Sequence, residues 1–478
     1  MMTRSFSGGA ALACVTALAV LGAAWPTFND DAARSGYDPG DRSLSTSNVG
    51  KLRRRWQITL GDVADSTPIF LSNVRIGGKP TPMLFQTSKD GTTYGIDAAS
   101  GKIAWRFATH GPNITSSTPA AGAAGGALFV PGVDGFVHEL DAANGKERRE
   151  RGFPLRITTM PDSEKDASPL NFSGGYLYAV TSGYYGDAPP YDGHVVTVRL
   201  RDGATHVFNS LCSNDRSLPT ATSCPSSGSG MWARAGAVVD PDPSLHGRVY
   251  VATGNGNFNA SSGGHDYGDS VIALSRDGSA IAGSYTPADY AALESGDTDL
   301  GSTAPALLPR QAHSRTPLLA VEGGKDARLR LLDRTHLGGV GGELQAIDLG
   351  DRLFSAPAVW NDGRTTWIFV GLPSSLVAYR LKTDARGTSR LSAGWSAPLA
   401  PGSPEGTSPA IINGVVFVAS SGALLAFDGR TGHALWNSTT STAGGSIGAV
   451  HWQSPIAVDG AVYCSDQDGH LTAYALSP

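Results

Sequence analysis

The sequence predicts an all-β fold, a single eight-bladed β-propeller with four-stranded blades. Composition is the first reason, because 61 Gly and 29 Pro among 478 residues, with only 17% charged residues, describe many short strands joined by tight turns. Internal repetition is the second, because two different motifs each recur eight times along the chain. A period of roughly 45 to 55 residues with about four short strands in each repeat is typical of a β-propeller.

The first motif is a small or hydroxyl residue followed by Pro, which opens an apolar strand. The spacings between successive copies are 51, 50, 136, 52, 52 and 46 residues, and the long interval holds a copy without Pro, RAGAVV, around Gly236. The prolines are Pro68, Pro119, Pro169, Pro305, Pro357, Pro409 and Pro455.

The second motif is an apolar strand that leads into a small turn. Its copies are anchored at Gly95, Glu139, Thr197, Ala273, Leu331, Ala378, Ala426 and Ala473. A single four-stranded sheet cannot bury both of its faces, so the blades must stack around a ring, and closing the ring protects their edges. We therefore expect the N-terminal strand RRRWQITL to pair with the C-terminal strand HLTAYAL and complete the last blade.

The first residues have the pattern of a cleaved signal peptide. Arg4 provides a short positive region, Ala10 to Leu21 is apolar, and Gly22-Ala23-Ala24 supplies small residues before a mature start at Trp25. The predicted division is thus a signal peptide over residues 1–24 and a propeller over 25–478. We expect a periplasmic or secreted protein without a membrane span, and the net charge of -5 predicts no nucleic-acid partner.

The cysteines fit an exported protein. Cys212 and Cys224 lie 12 residues apart in a polar loop and are predicted to form a disulfide, whereas Cys464 lies in an apolar strand as a buried thiol. The chain contains no Cys-x-x-Cys-His sequence, which excludes a covalently attached c-type haem.

Two copies of the repeat are similar beyond their period. DAASGKIAW (97–105) and DGRTGHALW (428–436) share an Asp-x-x-x-Gly turn between the outer strands and a Trp, Trp105 or Trp436, that can pack between neighbouring blades. Here the sequence resembles the quinoprotein repeat family, which comprises the eight-bladed propellers of pyrroloquinoline-quinone (PQQ) dehydrogenases and their non-catalytic relatives. The N-terminal stretch from Trp25 to Trp56 also resembles that superfamily, so the resemblance covers essentially residues 25–478.

The resemblance implies four site residues in the middle blades. GMWARAGAVVDPD places Trp232 as the platform on which the cofactor stacks, and YVATGNGNF places Asn255 as a calcium ligand. DTDLGST implies that Asp299 is the catalytic base and a further calcium ligand. KDARLRLLDRT implies that Lys325 binds the quinone and takes part in catalysis.

Each of these residues also has a purely structural interpretation. Trp232 suits the core between two blades, Asn255 suits a turn, Asp299 can cap a loop, and Lys325 can lie solvated on a hairpin.

The chain also departs from the family pattern. The segment NITSSTPAAGAAGG contains neither the family's vicinal Cys pair nor its nearby Arg. The segment VTSGYYGDAPPYDG lacks the calcium-binding Glu, and its carboxylates are Asp187 and Asp192. Either Asp187 substitutes as the metal ligand or the site is weak. A separate Gly-rich loop offers His265, Asp266 and Asp269, either as a calcium site or as a solvated loop.

Two functions follow from this balance. The departures favour a binding or scaffolding propeller with a degenerate axial site, whose partner is a protein or a small molecule at the propeller face. The alternative is a PQQ- and calcium-dependent alcohol or sugar dehydrogenase without haem, which would need an external electron acceptor. An enzyme should bring its four site residues together at one mouth of the central channel, whereas a scaffold should expose an apolar or charged patch on a rim.

Overall fold

The computed structural model describes residues 23–113, 117–122, 126–400, 405–420 and 422–476, which form thirty-seven strands and little helix. The strands of the first three blades, together with two N-terminal strands of other blades, are β1 (Ala24–Trp25), β2 (Tyr37–Asp38), β3 (Arg53–Thr59), β4 (Ile69–Ile76), β5 (Lys79–Thr87), β6 (Thr92–Asp97), β7 (Ile103–Ala108), β8 (Ala120–Ala121), β9 (Ala127–Pro131), β10 (Phe136–Asp141), β11 (Glu147–Arg148), β12 (Leu155–Arg156), β13 (Glu164–Asp166), β14 (Asn171–Ser173), β15 (Tyr176–Gly183), β16 (His194–Arg199) and β17 (Ala204–Asn209).

The strands of the remaining blades are β18 (Val238–Val239), β19 (Val249–Ala252), β20 (Val271–Leu274), β21 (Ile281–Thr286), β22 (Ala306–Leu307), β23 (Leu319–Gly323), β24 (Arg328–Asp333), β25 (Gly339–Val340), β26 (Gln345–Asp348), β27 (Ala358–Asn361), β28 (Thr366–Gly371), β29 (Ser375–Thr383), β30 (Ser389–Pro398), β31 (Ala410–Ile412), β32 (Val415–Ser420), β33 (Ala423–Asp428), β34 (Ala434–Asn437), β35 (Ile456–Val458), β36 (Ala461–Ser465) and β37 (His470–Ala475). The helical segments are α1 (Tyr290–Gly296) and the 3-10 turns Val49–Lys51, Pro243–Leu245, Ala260–Ser262 and Leu300–Ser302.

Eight sheets follow one another along the chain as the blades of a propeller, as predicted. Blade 1 has the strand order β1-β4-β5-β6-β7, blade 2 has β8-β9-β10-β11 with β12 beside β10, and blade 3 has β13-β15-β16-β17 with β14 beside β15. Blade 4 has the order β18-β19-β20-β21-β25, blade 5 has β22-β23-β24-β26, and blade 6 has β27-β28-β29-β30. Blade 7 has β2-β31-β32-β33-β34, and blade 8 has β35-β36-β37-β3.

Each of the two sequence motifs occupies the same position in all eight blades. The copies of the first motif open the innermost strands β4, β8, β14, β18, β22, β27, β31 and β35. The anchors of the second lie on the third strands β6, β10, β16, β20, β24, β29, β33 and β37.

The N-terminal strand closes the ring, as predicted. Strand β3 pairs antiparallel with β37, with Gln57 opposite Thr472.

The hydrophobic core lies between adjacent blades. Inner strands such as β32 are buried at every position, because both of their faces pack against neighbouring sheets. Outer strands such as β7 alternate between half-buried and exposed residues, because one of their faces meets solvent.

Tryptophans on outer strands join four successive pairs of blades. Each donates a hydrogen bond from its indole Nε1 to a carbonyl oxygen beside the outer turn of the next blade. The pairs are Trp395 to Gly429 (3.0 Å), Trp436 to Leu52 (3.2 Å), Trp56 to Ala98 (3.0 Å) and Trp105 to Ala142 (3.1 Å). The predicted packing of Trp105 and Trp436 between blades is therefore present.

An N-terminal segment, residues 26–41, lies against the innermost strands. The flanking strand β1 and the included strand β2 pair with the inner strands of blades 1 and 7, and backbone amides of blades 2, 4, 6 and 7 donate to the segment's carbonyls. Arg34, which is fully buried, donates to the carbonyls of Ala235, Pro169 and Leu170 in blades 3 and 4. The segment thereby fills the end of the central channel that is lined by residues following the motif prolines.

The structure joins Cys212 to Cys224 in a disulfide and leaves Cys464 as a buried free thiol, whose pKa burial raises above its ordinary value. No helix among the described residues is long and apolar enough to cross a membrane. The predicted signal peptide, residues 1–24, lies outside the described residues except for Ala23 and Ala24, and it remains a prediction.

Candidate functional site

The axial mouth is the end of the channel formed by two kinds of loop, those that enter the innermost strands and those that join the second strand of a blade to the third. Antiparallel pairing places both kinds at the same end of the propeller. Trp232 precedes β18, Asp299 precedes β22, Asn255 follows β19, and Lys325 follows β23. All four residues that the resemblance implied therefore lie at the axial mouth.

Asn255 and Asp299 are in direct contact. The backbone N–H of Asn255 donates to Oδ1 of Asp299 at 2.7 Å. Gly254 makes this approach possible, since a Cβ atom there would lie 2.3 Å from Oδ1 of Asp299 and 3.0 Å from Nε1 of Trp232. These residues thus form one packed group around a position that only glycine can occupy.

Lys325 ties this group to the aromatic platform. Its ammonium forms a salt bridge with Oδ2 of Asp299, donates to Oδ1 of Asp297 at 3.0 Å, and lies 5.1 Å from the ring centroid of Trp232. Burial alone would lower the pKa of Lys325, but the two carboxylates outweigh burial and raise the pKa above its ordinary value. The lysine is therefore positively charged at neutral pH.

The side-chain amide of Asn255 is oriented by a second carboxylate. Its Nδ2 donates to Oδ2 of Asp269 at 3.0 Å, and its buried Oδ1 has no hydrogen-bond partner within the described part of the chain. Burial raises the pKa of Asp269 to about 7, and the nearby negative charge of Asp299 adds to the shift. A buried, unpartnered amide oxygen beside a carboxylate is the kind of ligand that a hard cation takes.

Asp187 is less well placed as a metal ligand than the resemblance requires. It is exposed on the loop after β15, where its Oδ1 accepts a hydrogen bond from the Tyr191 hydroxyl at 3.1 Å. Its charge interacts with those of Asp299 and Lys325, so it does face the same mouth.

Across the described ranges, groups of three Asp, Glu, His or Cys side chains with ligand atoms within 4.8 Å of one another occur away from the mouth. These groups are Asp466–Asp468–His470 and Cys212–Cys224–Asp266. Within the described ranges, neither Asp269 nor Asp299, the two carboxylates in contact with Asn255, belongs to such a group of three.

The loop with His265, Asp266 and Asp269 does not form one site. Asp266 is buried and accepts hydrogen bonds from the Nδ2 atoms of Asn257 and Asn259, so it organises its own loop. His265 is exposed, and Asp269 faces Asn255.

Three residues that sequence reasoning missed complete the floor of the mouth. Trp452 packs edge-on against Trp232, with ring centroids 6.1 Å apart and an interplanar angle of 81°, and Phe354 lies 6.2 Å from Trp232. The Arg234 guanidinium stands 4.2 Å from the Trp452 ring and donates to the carbonyls of Trp452 and His451. Because blades 4 and 8 are opposite each other in an eight-bladed ring, Arg234 and Trp452 meet across the channel axis.

The position within the repeat could have identified two of these three residues from the sequence. Phe354 and Trp452 each stand three residues before a motif proline, Pro357 and Pro455, and Trp232 occupies a similar place before β18. Aligning the copies three residues before the motif proline would have drawn attention to Phe354 and Trp452.

A charged cluster borders the floor on the side of blade 8. Nε2 of His451 lies 3.1 Å from Oε2 of Glu405, and Oδ2 of Asp65 lies 3.9 Å from Nδ1 of His451 and 3.7 Å from the Lys89 ammonium. Burial opposes protonation of His451, but the two carboxylates raise its pKa to about 9. The mouth thus combines an aromatic floor with paired charges on its walls.

Comparison with known proteins agrees with this architecture. The model of the family described as outer membrane protein assembly factor BamB matches residues 50–187 and 347–477, more than half of the chain. The chain belongs to this family of PQQ-like β-propeller repeats. The unmatched interval between the two regions contains Trp232, Asn255, Asp299 and Lys325.

Solved structures show the same fold at low sequence identity. Quinohemoprotein alcohol dehydrogenase from Comamonas testosteroni is 15% identical, with a TM-score of 0.64 over 95% of this chain and 80% of that one. A europium-containing methanol dehydrogenase is 14% identical, with a TM-score of 0.62 over 95% of this chain and 98% of that one. BamB from Moraxella catarrhalis is 15% identical, with a TM-score of 0.51 over 89% and 97% of the two chains. No curated protein matches the sequence.

Proposed function

We propose that the axial mouth binds a PQQ-type quinone together with a divalent cation, and that the protein is an exported dehydrogenase of alcohols or sugars that uses an external electron acceptor. The observation that carries this proposal is the convergence of Trp232, Asn255, Asp299 and Lys325 at one mouth. Sequence departures alone favoured a scaffold, but this convergence is what an enzyme requires.

Each of the four residues has a role that its surroundings support. The indole of Trp232 provides a flat surface for a tricyclic quinone, and Lys325 provides a fixed positive charge beside it. The free oxygen of Asn255 and the carboxylate of Asp299 would hold the cation, for which calcium is the candidate.

When bound, PQQ supplies a two-electron oxidant for a substrate C–OH group. Asp299 would accept the proton of the substrate hydroxyl. Lys325 holds the Asp299 carboxylate in place, because its ammonium forms a salt bridge with that carboxylate.

The cation site should be weak. Calcium usually has several oxygen ligands, more than one of them anionic. Here Asp299 is the candidate anionic ligand beside Asn255, since Asp269 accepts from the Asn255 amide and Asp187 is exposed. We expect a dissociation constant of about 10⁻⁴ to 10⁻³ M, the range of low-affinity calcium modules.

The test is a titration of the purified protein with PQQ and calcium, separately and together. Melting temperature and quinone absorbance would be followed, and an artificial electron acceptor would then be added with alcohols and sugars. We expect stabilisation only when both are present, and its loss in N255A and D299N. D468N is the matched control, because Asp468 is exposed in the separate Asp466–Asp468–His470 group. An unchanged melting temperature at saturating PQQ and calcium would overturn the proposal.

A binding or scaffolding propeller is the second candidate function, because many charged and polar groups of the mouth already bind one another. Lys325 neutralises Asp299, and Arg234 and Trp452 cross the axis where a cofactor would stack. Against this candidate, the exposed large apolar side chains of the described residues are only Tyr185, Val340 and Leu344. A protein that ignores PQQ and calcium but keeps its fold would favour this candidate and a partner at the propeller face.

A further inference from the structure

We propose that Asp269 is the positioning residue of the cation site, because its carboxylate sets the direction of the Asn255 amide and leaves the amide oxygen free for the ion. The inference rests on the proposed function, since it concerns the same site.

The hydrogen bond between the two side chains fixes this direction. Nδ2 of Asn255 donates to Oδ2 of Asp269 at 3.0 Å, so the NH₂ end of the amide faces this carboxyl group. The other end of the planar amide, Oδ1, then points away from Asp269. That oxygen is buried and lacks a hydrogen-bond partner among the residues the structure describes.

The second oxygen of Asp269 holds the other ligand-bearing loop. Oδ1 accepts a hydrogen bond from the backbone N–H of Leu300 at 3.1 Å, and Leu300 directly follows Asp299. Asp299 in turn accepts the backbone N–H of Asn255 at 2.7 Å. One carboxylate therefore links the Asn255 loop to the Asp299 loop, and a shift of Asp269 would move both predicted ligands.

The local backbone of Asp269 is unusual. Asp269 is 1% exposed, takes part in no salt bridge within the described ranges, and has a left-handed φ of 46°. A buried carboxylate without a cationic partner and a left-handed non-glycine backbone both cost free energy. Such costs persist where the surrounding structure needs the residue in that place.

The contrast with Asp266 supports a specific role. Asp266, three residues earlier, accepts from Asn257 and Asn259 and from the backbone N–H of Cys212, and it makes no hydrogen bond to Asn255. Of the two carboxylates, Asp269 alone bonds a predicted ligand.

The test uses D269N. Asn has the size of Asp and tolerates a left-handed backbone at least as well, so the variant should fold. Its amide can present an N–H to Asn255, which would favour rotation of the Asn255 amide and turn Oδ1 away from the ion. We expect ion affinity to fall at least about tenfold, the scale seen when a residue that orients a metal ligand is lost.

The probe is terbium, titrated into the purified protein, with the green luminescence that a nearby Trp sensitises as the readout. Calcium competition gives the affinity for calcium, and W232F should lower the luminescence yield if the ion lies beside Trp232. D266N is the matched control and should bind terbium within about twofold of the wild type, because Asp266 does not touch Asn255.

The double variant N255D/D269N is the decisive rescue. The amide of the new Asn at 269 can donate to one oxygen of the new Asp at 255, leaving the second oxygen for the ion. Recovery of at least most of the lost affinity is the expected result, and a merely structural role of Asp269 would not produce it.

The outcomes separate this inference from the proposed function. If the wild-type protein gives no saturable terbium luminescence that calcium competes away, the cation site itself is overturned. A wild-type protein that binds, with D269N binding equally well, would overturn only the role of Asp269. If D269N fails to fold, failure of the folded double variant to bind the ion overturns the inference, and binding supports it.

Discussion

At the scale of single residues, the mouth depends on side chains whose charge their neighbours determine. Glu405 and Asp65 flank His451, and Arg234 donates to its backbone carbonyl, while Trp452 packs against its ring with centroids 4.7 Å apart. The raised pKa of His451 means that the folded protein binds a proton there that the unfolded chain releases at neutral pH.

This proton predicts a pH dependence of stability. The pKa of His451 is about 9 in the folded protein against an ordinary 6.5, so its stabilising effect is complete below about pH 6.5 and is lost as the pH rises to 9. The difference in the free energy of unfolding between wild type and H451N should therefore shrink over that range in urea melts. H265N is the control, since His265 is exposed, and its difference from wild type should stay constant.

At the scale of elements, the middle blades differ from the rest. Blades 6, 7, 8 and 1 each donate an indole N–H to the next blade, whereas Tyr178 of blade 3 donates to the Arg276 carbonyl of blade 4 and Tyr250 of blade 4 to the Arg334 carbonyl of blade 5. A buried salt bridge between Arg334 and Asp240 adds to the second junction. The family model omits residues 188–346, which contain blade 4, most of blade 5 and the four predicted site residues.

The disulfide loop between β17 and β18 holds two loops of the mouth. Its Ser229 N–H donates to the carbonyl of Asn255 at 2.7 Å, its Cys212 N–H donates to Asp266 at 2.9 Å, and its Gly228 N–H donates to the carbonyl of Tyr191 at 2.9 Å. Tyr191 in turn bonds Asp187. The loop therefore connects the segments that carry Asn255 and Asp187.

Loss of the disulfide should loosen the mouth without opening the propeller. In C212S/C224S we expect faster amide hydrogen exchange in residues 187–193 and 253–268, because closing a loop of 12 residues removes chain entropy worth about 3 kcal/mol. The turn at residues 466–470 is the internal control and should exchange as in the wild type. If residues 187–193 and 253–268 of the variant exchange their amide hydrogens no faster than in the wild type, this role is contradicted.

At the scale of the whole molecule, the propeller is open at one end. The mouth residues precede the motif prolines, whereas the N-terminal segment contacts residues that follow them, such as Val239, Val359 and Ile411. Arg34 is central to this closure, since its guanidinium is fully buried and donates hydrogen bonds to backbone carbonyls and to the Thr27 hydroxyl. The N-terminal segment and the mouth residues therefore lie at opposite ends of the channel.

Replacing Arg34 should cost much of the stability. R34M leaves several buried carbonyls unpaired, and we expect a loss of about 3 kcal/mol or more in the free energy of unfolding measured by urea. R42M is the matched control, because Arg42 is exposed and its side chain donates a hydrogen bond to Asn413 at 3.3 Å. Its effect should stay within about 0.5 kcal/mol.

The fold was predictable because each repeat can be recognised from short sequence motifs. The Pro motif marks where each inner strand begins, and the second motif marks the third strand, so two counts were enough to establish eight blades. The convergence of Trp232 and Lys325 was predictable only through family resemblance. The meeting of Arg234 with Trp452 was not, because 218 residues separate them and only the closed ring brings them together.

Asp269 shows a different limit. The sequence presented it with His265 and Asp266 as one acidic loop, and nothing local distinguishes the carboxylate that turns inward to Asn255 from the one that bonds its own loop. The distinction depends on the left-handed backbone at Asp269 and on Leu300, which lies in another blade.

The pairing of β3 with β37 has a consequence for biosynthesis. The strand that completes the last blade is synthesised long before its partner, because Gln57 and Thr472 are separated by 415 residues. The earlier blades can stack before β37 is made, yet the ring cannot close until β37 is available to pair with β3. During that time the early strand has an unpaired edge, so a chaperone that shields residues 53–59 would raise the yield of folded protein.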